Sequence, residues 1–287
     1  MIPNVILNDG TSIPQLGFGT LYVLPGREES AEDLTTEGVV GIAFDTGYRH
    51  IDTAQSYGTE AGVGRAIAAA GIPRADIYVT SKLGNANHRP DAVRRSIGET
   101  LGNLGVEELD LFLMHWPLPT LYDGNFASTW SAMNQLVRDG LVRTTGVSNF
   151  EPDHLDRIIS ETSVAPAVNQ IELHPYFRND TASAACIERG IAVEAWSPLG
   201  RGAVLSDAVI TSVCKAHDRS AAQIILRWHI QHGHIVIPKS SSPERMKENI
   251  ALFDFELTAD EMAQIDALDR GEAGRIGPHP NTFAQIP

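Results

Sequence analysis

"QLGFGT", residues 15 to 20, decides the fold: a short β-prone run carries glycines at 17 and 19 and stops at Thr20. In a dinucleotide-binding sheet the first strand runs into G-x-G-x-x-G, and the turn opens a helix whose N-terminus takes the pyrophosphate. Here "GFGT" has two of the glycines and no helix after it. A second glycine pair, in "EAGVGRA" (Glu60 to Ala66), lies inside a helix-period segment and not at a phosphate turn. The doubly wound sheet therefore loses its nucleotide fingerprint, and "QLGFGT" becomes the first strand of a different α/β fold.

Outward from it the chain alternates. Apolar, β-branched stubs recur at Tyr48–Asp52, Ile77–Lys82, Leu109–His115, Val142–Ser148, Ala167–Glu172, Ala192–Ser197 and Ile235–Pro238, making eight strands with the first. They show no clear alternation, as suits parallel strands covered on both faces. Helix-period segments separate them. After Thr59, a candidate N-cap, Val63, Ala66, Ile67 and Ala70 fall on one face, and Gly71 can end the helix. Pro90 opens a helix bearing Val93, Ile97, Leu101 and Leu104. Further helices are predicted at Phe126–Arg138, Pro152–Ser160, Thr181–Arg189, Ala221–His232 and Pro243–Asn249. A last one, Thr258 to about Leu268, begins with the capping-box string "TADE". Ahead of everything, "VILNDGTSI" (Val5 to Ile13) reads as a hairpin around Asn8-Asp9-Gly10. No Pro/Gly/Ser linker divides the chain. The prediction is one (β/α)8 TIM barrel domain over residues 1–287, with an N-terminal β-hairpin and a C-terminal helix and tail.

Composition agrees. Of 287 residues, 43% are hydrophobic and 20% charged, enough to bury a large core. The net charge of −14 argues against a general nucleic-acid or anionic-membrane surface, while leaving room for a local basic pocket. Two cysteines, Cys186 and Cys214, cannot build a disulfide framework or a four-ligand zinc site. The N-terminus lacks a leader's basic and apolar regions, and no run approaches the ~18 apolar residues of a membrane span. A soluble, cytoplasmic monomer is the expectation, with no nucleic-acid, membrane or metal partner.

Barrel enzymes gather their chemistry at the carboxyl ends of the strands. Asp52 ends the second strand, Lys82 the third and His115 the fourth, and Tyr57 lies in the loop after Asp52. Singly, each has a plainer explanation: a turn aspartate, a snorkelling lysine, a core histidine, a packed tyrosine. Sharing one rim, they form a proton-delivery group. A free phenol, with a pKa of about 10, is a sluggish acid. A neighbouring ammonium is expected to lower that value, and a carboxylate to hold the ammonium in place. An imidazole can orient a carbonyl oxygen. The group moves protons but holds no electron source, so a cofactor must supply hydride.

The rest of the rim is polar without being acid-base. Ser148, Asn149 and Gln170 offer groups for a carboxamide, and Trp196 offers a flat face. In "PKSSSPERMKEN", Lys239, Ser240, Ser242 and Arg245 precede or open a helix, a phosphate-binding pattern in an acidic chain.

Together the strings "IPQLGFGT", "YRHIDTAQSYGTEAGVG", "TSKL", "LDLFLMHWP", "GVSNF", "NQIELHP", "AWSPLGRG", "LRWHIQHG" and "IPKSSSPERMKENIALFDFELT" run from Ile13 to Thr258. In these the chain resembles the aldo-keto reductase superfamily, nearest in look to bacterial 2,5-diketo-D-gluconate reductases. The resemblance implies NADP(H) bound across the rim of the barrel. It implies Tyr57 as general acid, Lys82 and Asp52 as its tuning pair, and His115 as carbonyl-orienting residue. It places Ser148, Asn149 and Gln170 on the carboxamide, Trp196 on the nicotinamide, and Ser197, Leu199 and Gly200 along the pyrophosphate. Lys239, Ser240, Ser242 and Arg245 would clamp the 2′-phosphate, Glu248 and Asn249 would meet the adenine, and Thr20 is a further cofactor contact.

Two departures concern the substrate. Many relatives carry an aromatic directly after "GT", where this chain has Leu21-Tyr22. The tail, "GRIGPHPNTFAQIP", is short, which implies a more open pocket. Leu21, Tyr22 and Trp116 are the candidate walls. The implied activity is NADPH-dependent reduction of small aldehydes and ketones, keto sugars and dicarbonyls among them. One alternative is an NADP(H)-binding regulatory or sensor subunit with weak turnover; another is a metal-dependent barrel enzyme using His174 near Glu172.

Overall fold

Eight parallel strands surround the axis of the computed structural model, which describes residues 2–21 and 35–286. Tyr22 lies outside the described residues. A hairpin, β1 (Asn4–Ile6) and β2 (Ser12–Pro14), pairs antiparallel with Val5 opposite Ile13, and Gly10 at φ 86° supplies its turn. The barrel strands follow as β3 (Phe18–Gly19), β4 (His50–Asp52), β5 (Tyr78–Leu83), β6 (Leu109–Met114) and β7 (Val142–Ser148). They continue as β8 (Val168–Glu172), β9 (Ala192–Trp196) and β10 (Ile235–Val236), each paired to the next in chain order. Closure comes just before β3. Leu16 bridges Val236, Gly17 N donates to Val236 O at 2.8 Å, and Val236 N donates to Gln15 O at 3.0 Å. The ring of eight is complete.

The helices are α1 (Thr36–Thr46), α2 (Glu60–Ala69), α3 (Pro90–Leu104), α4 (Phe126–Arg138) and α5 (Pro152–Thr162). After them come α6 (Asp180–Glu188), α7 (Ala208–His217), α8 (Ala221–Gln231), α9 (Pro243–Ile250) and α10 (Ala259–Asp266). Thr258 and Glu261 form the capping box expected of "TADE". Two of these helices are not among those predicted. The α1 segment, capped by Thr35 and ended by Gly47 at φ 112°, carries two internal glycines that blur its period. The α7 segment, "AVITSVCKAH", is rich in β-branched residues and reads locally as strand. Packing of Ile210 and Val213 into the core overrides that propensity.

Inside the barrel the strands do alternate, and their parity positions the site. Phe112 and Met114 point outward to the helical layer, whereas Leu111 and Leu113 point inward. With Leu7 and Ile13 of the hairpin, Tyr78, Val168 and Ile235, the inward leucines fill the end of the barrel remote from the rim. Each such side chain contributes about 1.5–3 kcal/mol by leaving water. Further along the same strands the inward positions turn polar: Asp52, Thr80 and Lys82, Gln170 and Glu172, Glu194. The interior is apolar at one end and a buried polar layer at the other.

Candidate active site

Lys82 is fully buried, and its ammonium donates to both oxygens of Asp52, at 2.6 and 2.7 Å, and to the carbonyl of Thr53 at 2.9 Å. These contacts fix the ammonium against Asp52. The ammonium lies 4.9 Å from the centre of the Tyr57 ring. Tyr57 closes a single 3-10 turn, Gln55–Tyr57, with Gly58 at φ 68° turning the chain away. Gln55 ties this loop down: its Oε1 accepts from Gly84 N at 2.7 Å, and its Nε2 donates to Thr100 Oγ1 at 3.0 Å. His115, directly after β6, sets its ring edge-on to Tyr57 with centroids 5.7 Å apart. The four residues predicted to share a rim do meet, and Asp52 relates to Tyr57 through the lysine.

Their protonation states follow from burial and charge. Burial pulls the Lys82 pKa down, but Asp52, Tyr57 and Glu194 outweigh it and the net shift is upward, so the ammonium persists at neutral pH. Burial pushes the Tyr57 phenol up; Lys82 pulls it back, Asp52 and Glu194 add to the rise, and the net direction is upward. This corrects the expectation that lysine would lower the phenol below its ordinary value: desolvation is the larger effect. Tyr57 is thus fully protonated at neutral pH, with a cation waiting beside the phenolate it would leave. Burial, then Lys82 and His88, hold the His115 imidazole well below its usual range, so that ring is neutral.

The other half of the rim is more self-engaged than predicted. Asn149 Nδ2 donates to His115 O at 3.0 Å and to Ser148 Oγ at 3.1 Å, while its Oδ1 accepts from Trp196 Nε1 at 2.8 Å. Ser148 Oγ donates to Gln170 O at 2.7 Å. Both Asn149 hydrogens are thereby engaged, and its Oδ1 keeps one lone pair. Gln170 Nε2 donates to Asp52 Oδ2 at 2.9 Å and to Glu194 Oε2 at 3.1 Å, tying this half to the Asp52–Lys82 corner. Thr20 is also engaged, its hydroxyl donating to Asp52 O at 2.9 Å. Ser197 and Gly200 adopt positive φ in a tight turn closed by Gly200 N to Ser197 O at 2.8 Å, with Leu199 between them half-buried.

At the start of α9, Ser242 is the N-cap, accepting from Arg245 N, and Ser240 Oγ accepts from Ser242 N at 3.1 Å. Lys239 and Arg245 are exposed and neither forms an ion pair among the described residues. Burial of its stem and the nearby Arg245 hold the Lys239 pKa down, the mark of two cations close together. Glu248 is exposed and Asn249 buried on the same helix.

Sequence reasoning missed two features. Glu194 joins the polar layer, and its signal is parity: it lies two residues before Trp196 and pairs in register with Gln170. The second is the tail. Short as it is, it crosses the mouth, correcting the expectation of an open pocket. Ile276 N and Gly277 N donate to the two oxygens of Glu172 at 2.6 and 2.8 Å, and Asn85 Nδ2 donates to Gln285 O at 2.8 Å. Between these anchors Phe283 packs on Trp116 with ring centroids 4.2 Å apart. Gly277 runs so close to Trp196 that a β-carbon there would fall 2.5 Å from the indole. Leu21 stays exposed at the rim. Glu172 is thus a tail anchor, also 3.1 Å from His174 Nε2, and no cluster of three or more metal-ligating side chains occurs among the described residues. Nor is any described helix long and apolar enough to cross a membrane.

A closed (β/α)8 barrel with an aspartate, lysine, tyrosine and histidine on adjoining strand ends defines an oxidoreductase scaffold. The chain belongs to the Aldo/keto reductase family, whose profile matches residues 15–270. It is 47% identical to an aldo-keto reductase of Mycolicibacterium smegmatis, over 99% of this chain and 98% of that one. It is 44% identical to a morphine 6-dehydrogenase of Pseudomonas putida, over 97% of this chain and 94% of that one. Among solved structures, a Gox0644 mutant in complex with NADPH superposes with a TM-score of 0.90 at 39% identity, over 99% of each chain.

Proposed function

We propose that this aldo-keto reductase carries out NADPH-dependent reduction of aldehydes and ketones to alcohols, with Tyr57 as general acid and the whole chain working as one barrel domain. The observation that carries the reading is the buried Lys82 ammonium, bound by both Asp52 oxygens and 4.9 Å from the Tyr57 ring centre. In the transition state negative charge develops on the carbonyl oxygen. Tyr57, protonated at neutral pH, transfers its hydroxyl proton there, and the phenolate left behind faces a fixed cation that needs no reorganisation. His115, being neutral, donates one N–H to the same oxygen and orients it. Its ring lies edge-on to Tyr57 with centroids 5.7 Å apart, close enough to share the substrate oxygen.

The remaining residues suit a phosphorylated dinucleotide. Lys239 and Arg245 are neighbouring cations at a helix start, in a chain of net charge −14. They would hold the 2′-phosphate with Ser240 and Ser242, while Glu248 and Asn249 lie within the same helix for the adenine. Ser197, Leu199 and Gly200 would flank the pyrophosphate, Trp196 the nicotinamide, and Gln170 its carboxamide. Ser148 and Asn149 would meet the carboxamide beside Gln170. When bound, NADPH supplies the hydride that no side chain here can give.

Leu21, Trp116 and Phe283 would border the substrate, for which small carbonyl compounds such as keto sugars and dicarbonyls are the proposed class. The test is steady-state NADPH oxidation by the purified protein with a panel of aldehydes, ketones, dicarbonyls and keto sugars. Saturable turnover with several members is expected. Tight NADPH binding without turnover of any carbonyl would make the protein a nucleotide sensor instead.

A further inference from the structure

Beneath the Lys82–Asp52 pair the barrel holds a second carboxyl group that the reaction as described does not use. Glu194 is fully buried on β9, opposite Gln170 in the β8–β9 register. Its Oε2 accepts from Gln170 Nε2 at 3.1 Å, and its Oε1 has no hydrogen-bond partner. The nearest cation-forming group, His50 Nε2, lies 3.9 Å from Oε1 and is engaged with Thr80 Oγ1 at 3.0 Å. Lys82 bonds Asp52 and Thr53 and forms no hydrogen bond or ion pair with Glu194 among the described residues. An ionised Glu194 would thus be a buried anion without a counter-ion.

We propose that Glu194 is a positioning residue for hydride transfer: together with Asp52 it claims the amide nitrogen of Gln170, fixing which way that amide points and holding Asp52 aligned under Lys82 and Tyr57. The inference rests on the roles given above to Tyr57, Lys82 and Asp52. Gln170 Oε1 accepts no hydrogen bond from the described residues, so it is the one polar atom of that side chain free for a carboxamide NH2. A rotated amide would turn an N–H toward the ligand and an oxygen toward the Asp52 carboxylate, which is repulsive.

The groups facing Glu194 are Asp52 and His50 from β4, Lys82 and Tyr78 from β5, Gln170 from β8, and Tyr57 from the loop after β4. Burial and the Asp52 charge push the Glu194 carboxyl up to about 8, with Gln170 and Lys82 opposing. Below that pH the group is neutral. Above it the buried negative charge makes its contribution to the raised Tyr57 value, and the phenol is a poorer acid than below it.

The test compares wild type with Glu194→Gln and Glu194→Leu in the full chain, reading NADPH Kd by fluorescence and kcat against pH from 6 to 10. Glu194→Leu strips one partner from Gln170, and NADPH Kd should weaken and kcat fall by about tenfold each, the effect of one buried hydrogen bond. Wild type should lose kcat on an alkaline limb near pH 8. Glu194→Gln cannot ionise and should keep its rate there. Should Glu194→Leu fail to fold, the isosteric Glu194→Gln decides alone. An alkaline limb unchanged in Glu194→Gln, or unchanged Kd and kcat in folded Glu194→Leu, overturns the proposal. If Tyr57→Phe loses turnover while the Glu194 variants behave as wild type, only the Glu194 role fails; if Tyr57→Phe keeps its turnover, the underlying mechanism fails first.

Discussion

The two halves of the rim differ in how finished they are. On the β4–β6 side, Asp52, Lys82, Tyr57 and His115 already stand in contact, with the lysine and aspartate sealed from water and mutually satisfied. On the β9–β10 side, Lys239 and Arg245 stand exposed, close to one another and without carboxylate partners among the described residues. Between them, Ser148, Asn149 and Gln170 bond chiefly to the protein. The proposed catalytic corner is preorganised, as electrostatic stabilisation of a transition state requires. The proposed phosphate corner would be completed by its ligand, as binding of a mobile, highly charged cofactor requires.

Breaking the finished half should cost both turnover and stability. Lys82→Met leaves the Asp52 carboxylate buried without its cation, a loss of about 3–5 kcal/mol, and removes the charge facing a Tyr57 phenolate. The expected outcome is a marked fall in Tm together with a kcat reduced by about 10²–10⁴. A folded Lys82→Met protein with near-normal kcat would remove the distinction between the halves. Altering the open half should touch binding alone. Lys239→Met and Arg245→Met should each weaken NADPH by about 10–100-fold, the worth of a charge-assisted contact, while leaving NADH affinity and Tm near wild type. Equal losses for both cofactors, measured by fluorescence titration, would place the phosphate elsewhere.

The same contrast governs what the sequence discloses. The four residues proposed to be catalytic are legible because each closes or follows a strand, and strand ends in a barrel share a rim whatever their separation in the chain. The Lys239–Arg245 cluster is legible because it is local, with six residues between a strand end and a helix start. The links between the halves are not local. Gln170 reaches Asp52 across 118 positions, and Ile276 and Gly277 reach Glu172 across more than a hundred. No window of sequence contains such pairs. Glu194 was hidden for another reason: in "AVEAW" a carboxylate between apolar residues reads as a strand interior until the inward parity of Gln170 and Trp196 is applied to it. The net rise of the Tyr57 pKa is likewise a property of depth, which the residue types alone do not carry.

The central claim is that Tyr57 delivers the proton while others hold the cofactor. Single-turnover mixing of NADPH-loaded protein with a carbonyl substrate, wild type against Tyr57→Phe, addresses it most directly. Phenylalanine keeps the ring that packs against His115 and lies over the Lys82 ammonium and removes only the hydroxyl. NADPH affinity should stay within about twofold, because no cofactor contact is assigned to that hydroxyl, while hydride transfer slows by about 10²–10⁴. Hydride transfer at the wild-type rate in Tyr57→Phe would contradict the account.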